Sequence, residues 1–579
     1  MTKTIKSKKK IILTPEQKKT KKEQRKKNLD ERKFKIDINT VFKNAGFNHI
    51  VTRDEHFTFK EVDTELDNIF IYENIVVFVE DTCSTKSGNI RDHLLKKATY
   101  YKYFIANKSD FIAFLDNTFD KFREVRNSIY DPSDIKLVFV YASKYRFDEQ
   151  YKNGFRDIIV FLDYYYLCYF LSIAKNIQKS SRFELFKFLG LSRQDIGINH
   201  GKELKTISGS VLPESPSGFP KGFKVITFYI DPETLIELSY VMRKDGWQDN
   251  DSLYQRMIIK NKIFSMREYL SIEKRVFINN IIVTLPSSTK FEQNGNVVLL
   301  SDLTKTEPIE LQIPKEFNSI GIIDGQHRVF AYHEGQDKYE KEISKKRKKQ
   351  NLLVTGIIYP EELSHFDQTK FEAKLFLEIN DKQNKTKSEL KQAIETIVNP
   401  FSVIAISKSI ILKLGISGAL TDLLEVHFFD KGKIKTASIV SYGLRHIVKL
   451  TENDSLFSIW THPDKLELLN YNDRILLNGY IDFCTGEINN FLNAFKKYQT
   501  KNHMWISDQK SSRVLTTTTI NGIIFCLRKI LQEKKVTYTF NDYEKKLENL
   551  NIDFHPDNFL YKSSHWKDLG EDIYKQCFL

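Results

Sequence analysis

The sequence predicts an α/β multidomain chain that ends in a helical region. Three observations carry this. The chain has 579 residues, too many for one ordinary core, so about two to four domains are expected. Short strand-type runs alternate with helix-type runs as far as about residue 388. Beyond Ser388, apolar residues recur mainly at helical spacing, over 389–415, 419–428, 437–451, 475–498, 520–533 and 540–550. A hydrophobic content of 41% and an aromatic content of 13% supply several cores.

Charge is concentrated at the start. Residues 1–33 hold 14 Lys/Arg against 4 Asp/Glu, a net +10; the whole chain is +14, which leaves +4 for everything else. Thr14, Pro15 and Gln17 form a helix-start signal, so a charged helix is expected from Pro15 to about Lys33. This arm reads either as a salt-dependent tether to DNA phosphates or as a solubilising tail. No apolar stretch follows Met1–Lys6, so a secretory signal is not expected. The most apolar stretch, 161–174, is rich in Tyr and too short to span a bilayer. Cysteines at 83, 168, 484, 526 and 577 form no Cys-x-x-Cys pair, which fits a reducing cytoplasm.

From residue 34 to about 150 a compact α/β domain is expected. Two strands, 57–72 and 75–82, flank a turn at Glu73-Asn74, and a basic helix follows over 90–104. Pairing those strands brings Asp67 and Glu80 together, as a Mg²⁺ site needs. A strand at 135–140 extends the sheet. Residues 151–196 read as an apolar helical connector, and Gly and Pro crowd 197–222, marking a linker. A second mixed region, 223–388, begins with a strand at 224–229 and a helix capped by Asp231. A helix over 254–269 carries Arg256, Lys260, Lys262 and Arg267 as candidate phosphate contacts. Strands follow at 280–285, 297–300, 309–313 and 352–359, with a basic run over 338–350.

Its centre is Ile320-Gly-Ile-Ile-Asp324-Gly325-Gln326-His327-Arg328-Val329-Phe330. An apolar strand stops at Asp-Gly and a helix begins. Four functional groups crowd that turn, where free N–H groups and Arg328 suit an anion. Downstream, a helix over 371–379 ends in Asn380, Gln383, Asn384 and Lys385, polar groups suited to a base edge, a ribose or a phosphate. Either cluster can also be read as capping and solvated polar residues.

The Asp324–Arg328 stretch resembles the signature of the DGQHR-domain family, which includes DndB-like proteins linked to DNA phosphorothioate modification. Tyr254-Gln255-Arg256 with Arg267-Glu268-Tyr269-Leu270, then Asn279–Val283, then Phe376–Lys385 resemble that family's other segments. The likeness spans roughly 210–450. It implies a ParB/sulfiredoxin-like α+β core in which Asp324, Gly325, Gln326, His327 and Arg328, with Arg256, Asn380, Gln383 and Lys385, bind a nucleoside triphosphate or DNA phosphate. No cysteine lies near the turn, so sulfiredoxin-type thiol chemistry is not expected. Residues 35–150 resemble the PD-(D/E)xK nuclease core, with Asp67 and Glu80 as catalytic, Mg²⁺-holding residues. Thr82 stands where that pattern has Lys, and Lys86 is the candidate to swing back in its place.

The expected function is that of a DNA-binding protein of a bacterial DNA-modification, restriction or defence system, working beside modification enzymes. A non-catalytic DNA-binding regulator and a nucleotide triphosphatase are the alternatives.

Overall fold

The computed structural model describes residues 15–52, 56–85, 87–126, 129–145, 149–197, 203–243, 246–247, 255–383, 387–430, 432–507, 512–562 and 564–579. It is a mixed α/β protein with two compact units. The first is Met1–Val241 with Ile258–Glu361, and the second is Met242–Met257 with Glu362–Leu579.

The first unit opens with the helix Pro15–Asn44, longer than its charge pattern suggested. Residues 20–30 are exposed, while Phe34, Ile38, Val41 and Phe42 are buried. The change from a polar to an amphipathic stretch, without a helix breaker, explains the extension. A five-stranded sheet follows. Its strands are β1 (Asn48–Val51), β4 (Asn68–Tyr72), β5 (Ile75–Thr82), β6 (Lys136–Ser143) and β7 (Ile159–Asp163), in the order β1-β4-β5-β6-β7. The expected single strand over 57–72 is three strands. β2 (His56–Phe59) and β3 (Val62–Glu65) form a separate hairpin around Lys60, which takes φ +53°, and only then does β4 begin. β4 and β5 are antiparallel, whereas β5, β6 and β7 run parallel. β5 is buried from Ile75 to Glu80, as a central strand covered on both faces must be. Residues 155–175 resolve into β7 and the helix Tyr164–Ile177.

The same unit carries a nine-stranded sheet. It comprises β8 (Leu204–Pro213), β9 (Lys224–Ile230), β10 (Ser239–Tyr240), β11 (Ile281–Thr284), β12 (Lys290–Gln293), β13 (Asn296–Val298), β14 (Glu307–Pro314), β15 (Ile320–Asp324) and β16 (Leu352–Ile358). Their order is β10-β15-β11-β16-β9-β8-β14-β12-β13. β8 lies inside the stretch expected to be a linker. Gly209 is the reason that signal misled: a Cβ there would stand 2.7 Å from the Thr227 carbonyl oxygen and 3.0 Å from a Leu311 methyl. The glycine serves close strand approach, not a turn. The helix expected over 254–269 begins only at Lys260 and runs to Glu273, so Gln255 and Arg256 lie in extended chain.

The second unit is chiefly helical around one apolar core. The helix expected over 389–415 is two, Ser388–Val398 and Val403–Ser417, with Ser402 capping the second through the Ala405 N–H. Residues 419–428 are not helical and contain a short parallel pairing of Leu424–Glu425 with Ile434–Lys435. Long helices Arg474–Lys501 and Thr517–Lys534 follow the expected pattern. An unexpected one, Trp566–Phe578, packs so closely on Thr517–Lys534 that a Cβ on Gly570 would stand 2.5 Å from the Gly522 carbonyl oxygen. Glycine at a helix contact lowers helix propensity, which hid this element. Among the described residues no single helix is long and apolar enough to cross a membrane.

Candidate functional site

The chemistry of the five-stranded sheet gathers at the end of β5. Asn68 pairs with Val79, so Asp67 and Glu80 come next in register. Asp67 accepts a hydrogen bond from the Asp81 N–H at 2.9 Å. The helix Ser87–Ala106 lays Ile90, Leu94, Ala98 and Tyr101 against the sheet, and Lys97 falls on the same face. Its ammonium lies 2.9 Å from Glu80 Oε2 and donates to the Glu65 carbonyl at 2.7 Å. One turn earlier, His93 Nε2 is 3.4 Å from Glu80 Oε1, and His93 Nδ1 is 3.0 Å from the Tyr141 hydroxyl.

Glu80 and Lys97 are both buried, with side chains 5% and 4% exposed. Burial pushes the Glu80 carboxyl up, but His93 and Lys97 together outweigh it and hold the group below its ordinary range. Burial first, and the negative fields of Glu80 and Asp67 next, push the Tyr141 hydroxyl above its ordinary range. Both carboxylates lie within electrostatic reach of the Tyr141 hydroxyl. Thr82 bonds Tyr141 and accepts from the Ser84 N–H at 3.2 Å. It carries no charge; the cation beside Glu80 comes from the helix. Lys86 lies outside the described residues.

Lys97 and His93 are the residues that sequence reasoning missed. The available signal was a lysine lying in line with the apolar positions 90, 94, 98 and 101. A buried lysine costs free energy unless it is paired, so its presence on that face implied a buried acid.

The Asp324 turn forms as expected: β15, then Gly325 at φ +99°, then the short helix Gln326–Phe330. Its side chains, however, turn towards the chain itself. One terminal nitrogen of Arg328 donates to Asp324 Oδ2 at 2.9 Å and to the Asn280 carbonyl at 2.8 Å. His327 Nε2 accepts the Ile259 N–H at 3.1 Å, and Gln326 is buried. Asp324 neutralises Arg328 instead of leaving a free cation.

Arg267, expected on a phosphate, is fully buried and pairs with Asp337 at 2.7 Å and Glu340 at 2.8 Å. It also donates to the carbonyls of Ala331 and His333, fastening the chain that leaves the turn. Much of the basic run over 338–350 is likewise spent on internal pairs, Arg347 with Glu340 at 2.7 Å and Lys345 with Glu342 at 3.1 Å. Lys260 and Lys262 are exposed at the start of their helix.

Asn380 and Arg256 belong to the second unit. The Asn380 amide donates to Phe376 O of its own helix, His365–Gln383, at 3.0 Å. The Gln383 side chain, Lys385 and Tyr254 lie outside the described residues.

A scan against protein-family models, a search of characterised proteins and a search of solved structures each gave no match.

Proposed function

We propose that this chain acts on DNA within a bacterial modification, restriction or defence system. In this reading it belongs to the DGQHR-domain, DndB-like group, with a ParB/sulfiredoxin-like nine-stranded region. Its five-stranded sheet is a PD-(D/E)xK-like phosphodiesterase centre. The observation that supports the reading best is the buried Lys97–Glu80 pair beside Asp67. It restores the carboxylate–carboxylate–ammonium set of such a centre, with the lysine on the helix because Thr82 occupies the strand position.

Mg²⁺ fits the donors present. It is content with one or two carboxylates and keeps several waters, and Asp67 and Glu80 would hold it. Among the described residues no group of three or more His, Cys, Asp and Glu could hold a metal, so its remaining ligands would be water and phosphate. When bound, the ion polarises the phosphodiester and acidifies a bound water. Lys97 neutralises Glu80 at rest and stands ready to stabilise charge that grows on phosphate. His93 bridges Glu80 and the Tyr141 hydroxyl and so helps to fix the orientation of the carboxylate. The exposed Lys21, Lys22, Arg25, Lys26 and Lys27 supply a sequence-independent grip on the DNA backbone.

The experiment is plasmid and oligonucleotide cleavage by the full chain, with Mg²⁺ or with chelator, on unmodified and phosphorothioate DNA. Glu80→Gln should lower the rate by about a thousandfold while DNA binding persists. Mg²⁺-dependent cutting that survives Glu80→Gln would remove the centre. A second reading, a non-cutting DNA-binding regulator, draws on the engagement of both Glu80 oxygens by Lys97 and His93. Wild-type chain that binds but never cuts establishes it. The self-neutralised Asp324–Arg328 corner gives the triphosphatase reading no support; turnover abolished by Arg328→Ala would reinstate it.

A further inference from the structure

The second unit contains a hollow of about 890 Å³ that the nuclease reading does not use. It is framed by the helix His365–Gln383, the break between Ser388–Val398 and Val403–Ser417, and the chain entering Arg474–Lys501. Its charged lining has one sign: Lys370, Lys449 and Arg474, with no Asp or Glu. Lys449 pairs with Asp454 at 2.5 Å, but Arg528 grips that carboxylate as well, so two cations share one anion. Among the described residues, neither Lys370 nor Arg474 has a carboxylate partner.

Rings lie among these cations. The Arg474 guanidinium sits over Phe366 at 4.2 Å, and Phe401 meets Tyr471 edge to face at 6.0 Å. Phe366 is 38% exposed and Tyr471 59%. Like charges gathered in a concavity repel unless an anion joins them. Exposed rings beside them lose little and gain a flat apolar ligand's surface. The volume lies in the range of small-molecule and cofactor sites and far exceeds what inorganic phosphate fills.

We propose that this hollow binds a nucleoside phosphate. Arg474, Lys370 and Lys449 hold the phosphate, and the base stacks on the exposed aromatic rings. The nucleotide is either free or the phosphorylated end of a strand, since both present the same groups. The proposal is independent of Asp67, Glu80 and the Asp324 turn.

Calorimetric titration of the full chain tests it, in chelator so that metal-dependent binding near Glu80 does not contribute. The probes are ATP, dTTP, thymidine, pyrophosphate and a 5′-phosphorylated oligothymidylate. A nucleotide should bind at least about tenfold tighter than thymidine or pyrophosphate. Lys370→Ala with Arg474→Ala should weaken it by about tenfold or more, without lowering the melting temperature, because both side chains are exposed. Arg328→Ala should leave it unchanged. Oligothymidylate binding that is tighter with the 5′-phosphate than without it, and that loses this difference in the double variant, assigns a strand end; dTTP binding that the double variant loses, with no such 5′-phosphate effect, assigns the free nucleotide. Absence of binding to every probe, affinity retained by the double variant, or pyrophosphate matching the nucleotides would overturn the proposal.

Discussion

Glu80 with Lys97 and Asp324 with Arg328 are both carboxylate–cation pairs at 2.9 Å, but their surroundings differ. The first is buried and joins a strand to a separate helix. Its acid also meets a histidine that reaches the surface. The second is one helical turn apart in sequence, with side chains 27% and 19% exposed, and its arginine also holds the Asn280 carbonyl. Burying an ion pair gives little net stability over an apolar pair of the same size. Net stability alone therefore gives little reason for the Glu80–Lys97 pair. A clasp such as Asp324–Arg328, at modest desolvation, is an economical way to fix a sharp corner. The Arg328 side chain thus closes on its own chain, while Lys97, a residue outside the expected site, meets Glu80.

The comparison breaks most sharply at Lys97. Lys97→Ala strands a buried carboxylate and should destabilise the chain by roughly 3–5 kcal/mol in denaturant unfolding. Glu80→Gln with Lys97→Met should recover most of that stability without recovering cleavage. If the double variant is as unstable as the single, the pair is structural.

Behind the Asp324 corner, burial first, and the Arg267 guanidinium next, hold His333 down to about 3, against an ordinary value of 6.5. The unfolded chain therefore takes up the proton before the folded chain does. This contribution is complete above pH 6.5 and drains as pH falls towards 3, by roughly 3–5 kcal/mol in all. His333→Asn should flatten that part of the stability–pH curve. An unchanged curve would mean that the corner has no such anchor.

Smaller again is Gly325→Ala. At φ +99° any L side chain is strained, and the new Cβ would press on the Ile281 methyl at 2.6 Å and on Arg328. A loss of about 1–3 kcal/mol is expected, with DNA affinity unchanged. A variant of full stability that no longer binds DNA would return the corner to a ligand-binding role. Least of all for the fold is Gln replacement of Lys21, Lys22, Arg25, Lys26 and Lys27. The melting temperature should hold, while DNA affinity falls by about tenfold or more and its salt dependence shallows.

The strand–Gly–helix turn was legible because apolar runs and an Asp-Gly stop are local signals. The β4–β5 pairing, which leaves Asp67 just ahead of β4 and bonded to the end of β5, was legible for the same reason. Lys97 was legible only in part: its place in line with positions 90, 94, 98 and 101 implied a buried acid, but which acid it meets is fixed only when the helix docks on the sheet. Gly209 and Gly570 misdirected the reading from the opposite side. Both mark close backbone approach, which in sequence resembles a loop or a helix break. The closure of Arg328 onto Asn280 O was hidden too, because main-chain acceptors carry no residue signature.

The division of the chain at Val241, Ile258 and Glu361 bears on how it can be dissected. Three peptide links join the two units, so no single cut yields either one whole, and a fragment starting at Glu362 is missing Met242–Met257. The Gln255 N–H donates to the Met242 carbonyl at 2.8 Å, so the two stems of that excursion run side by side. A short splice from Val241 to Ile258 is therefore the rational route to a stand-alone first unit.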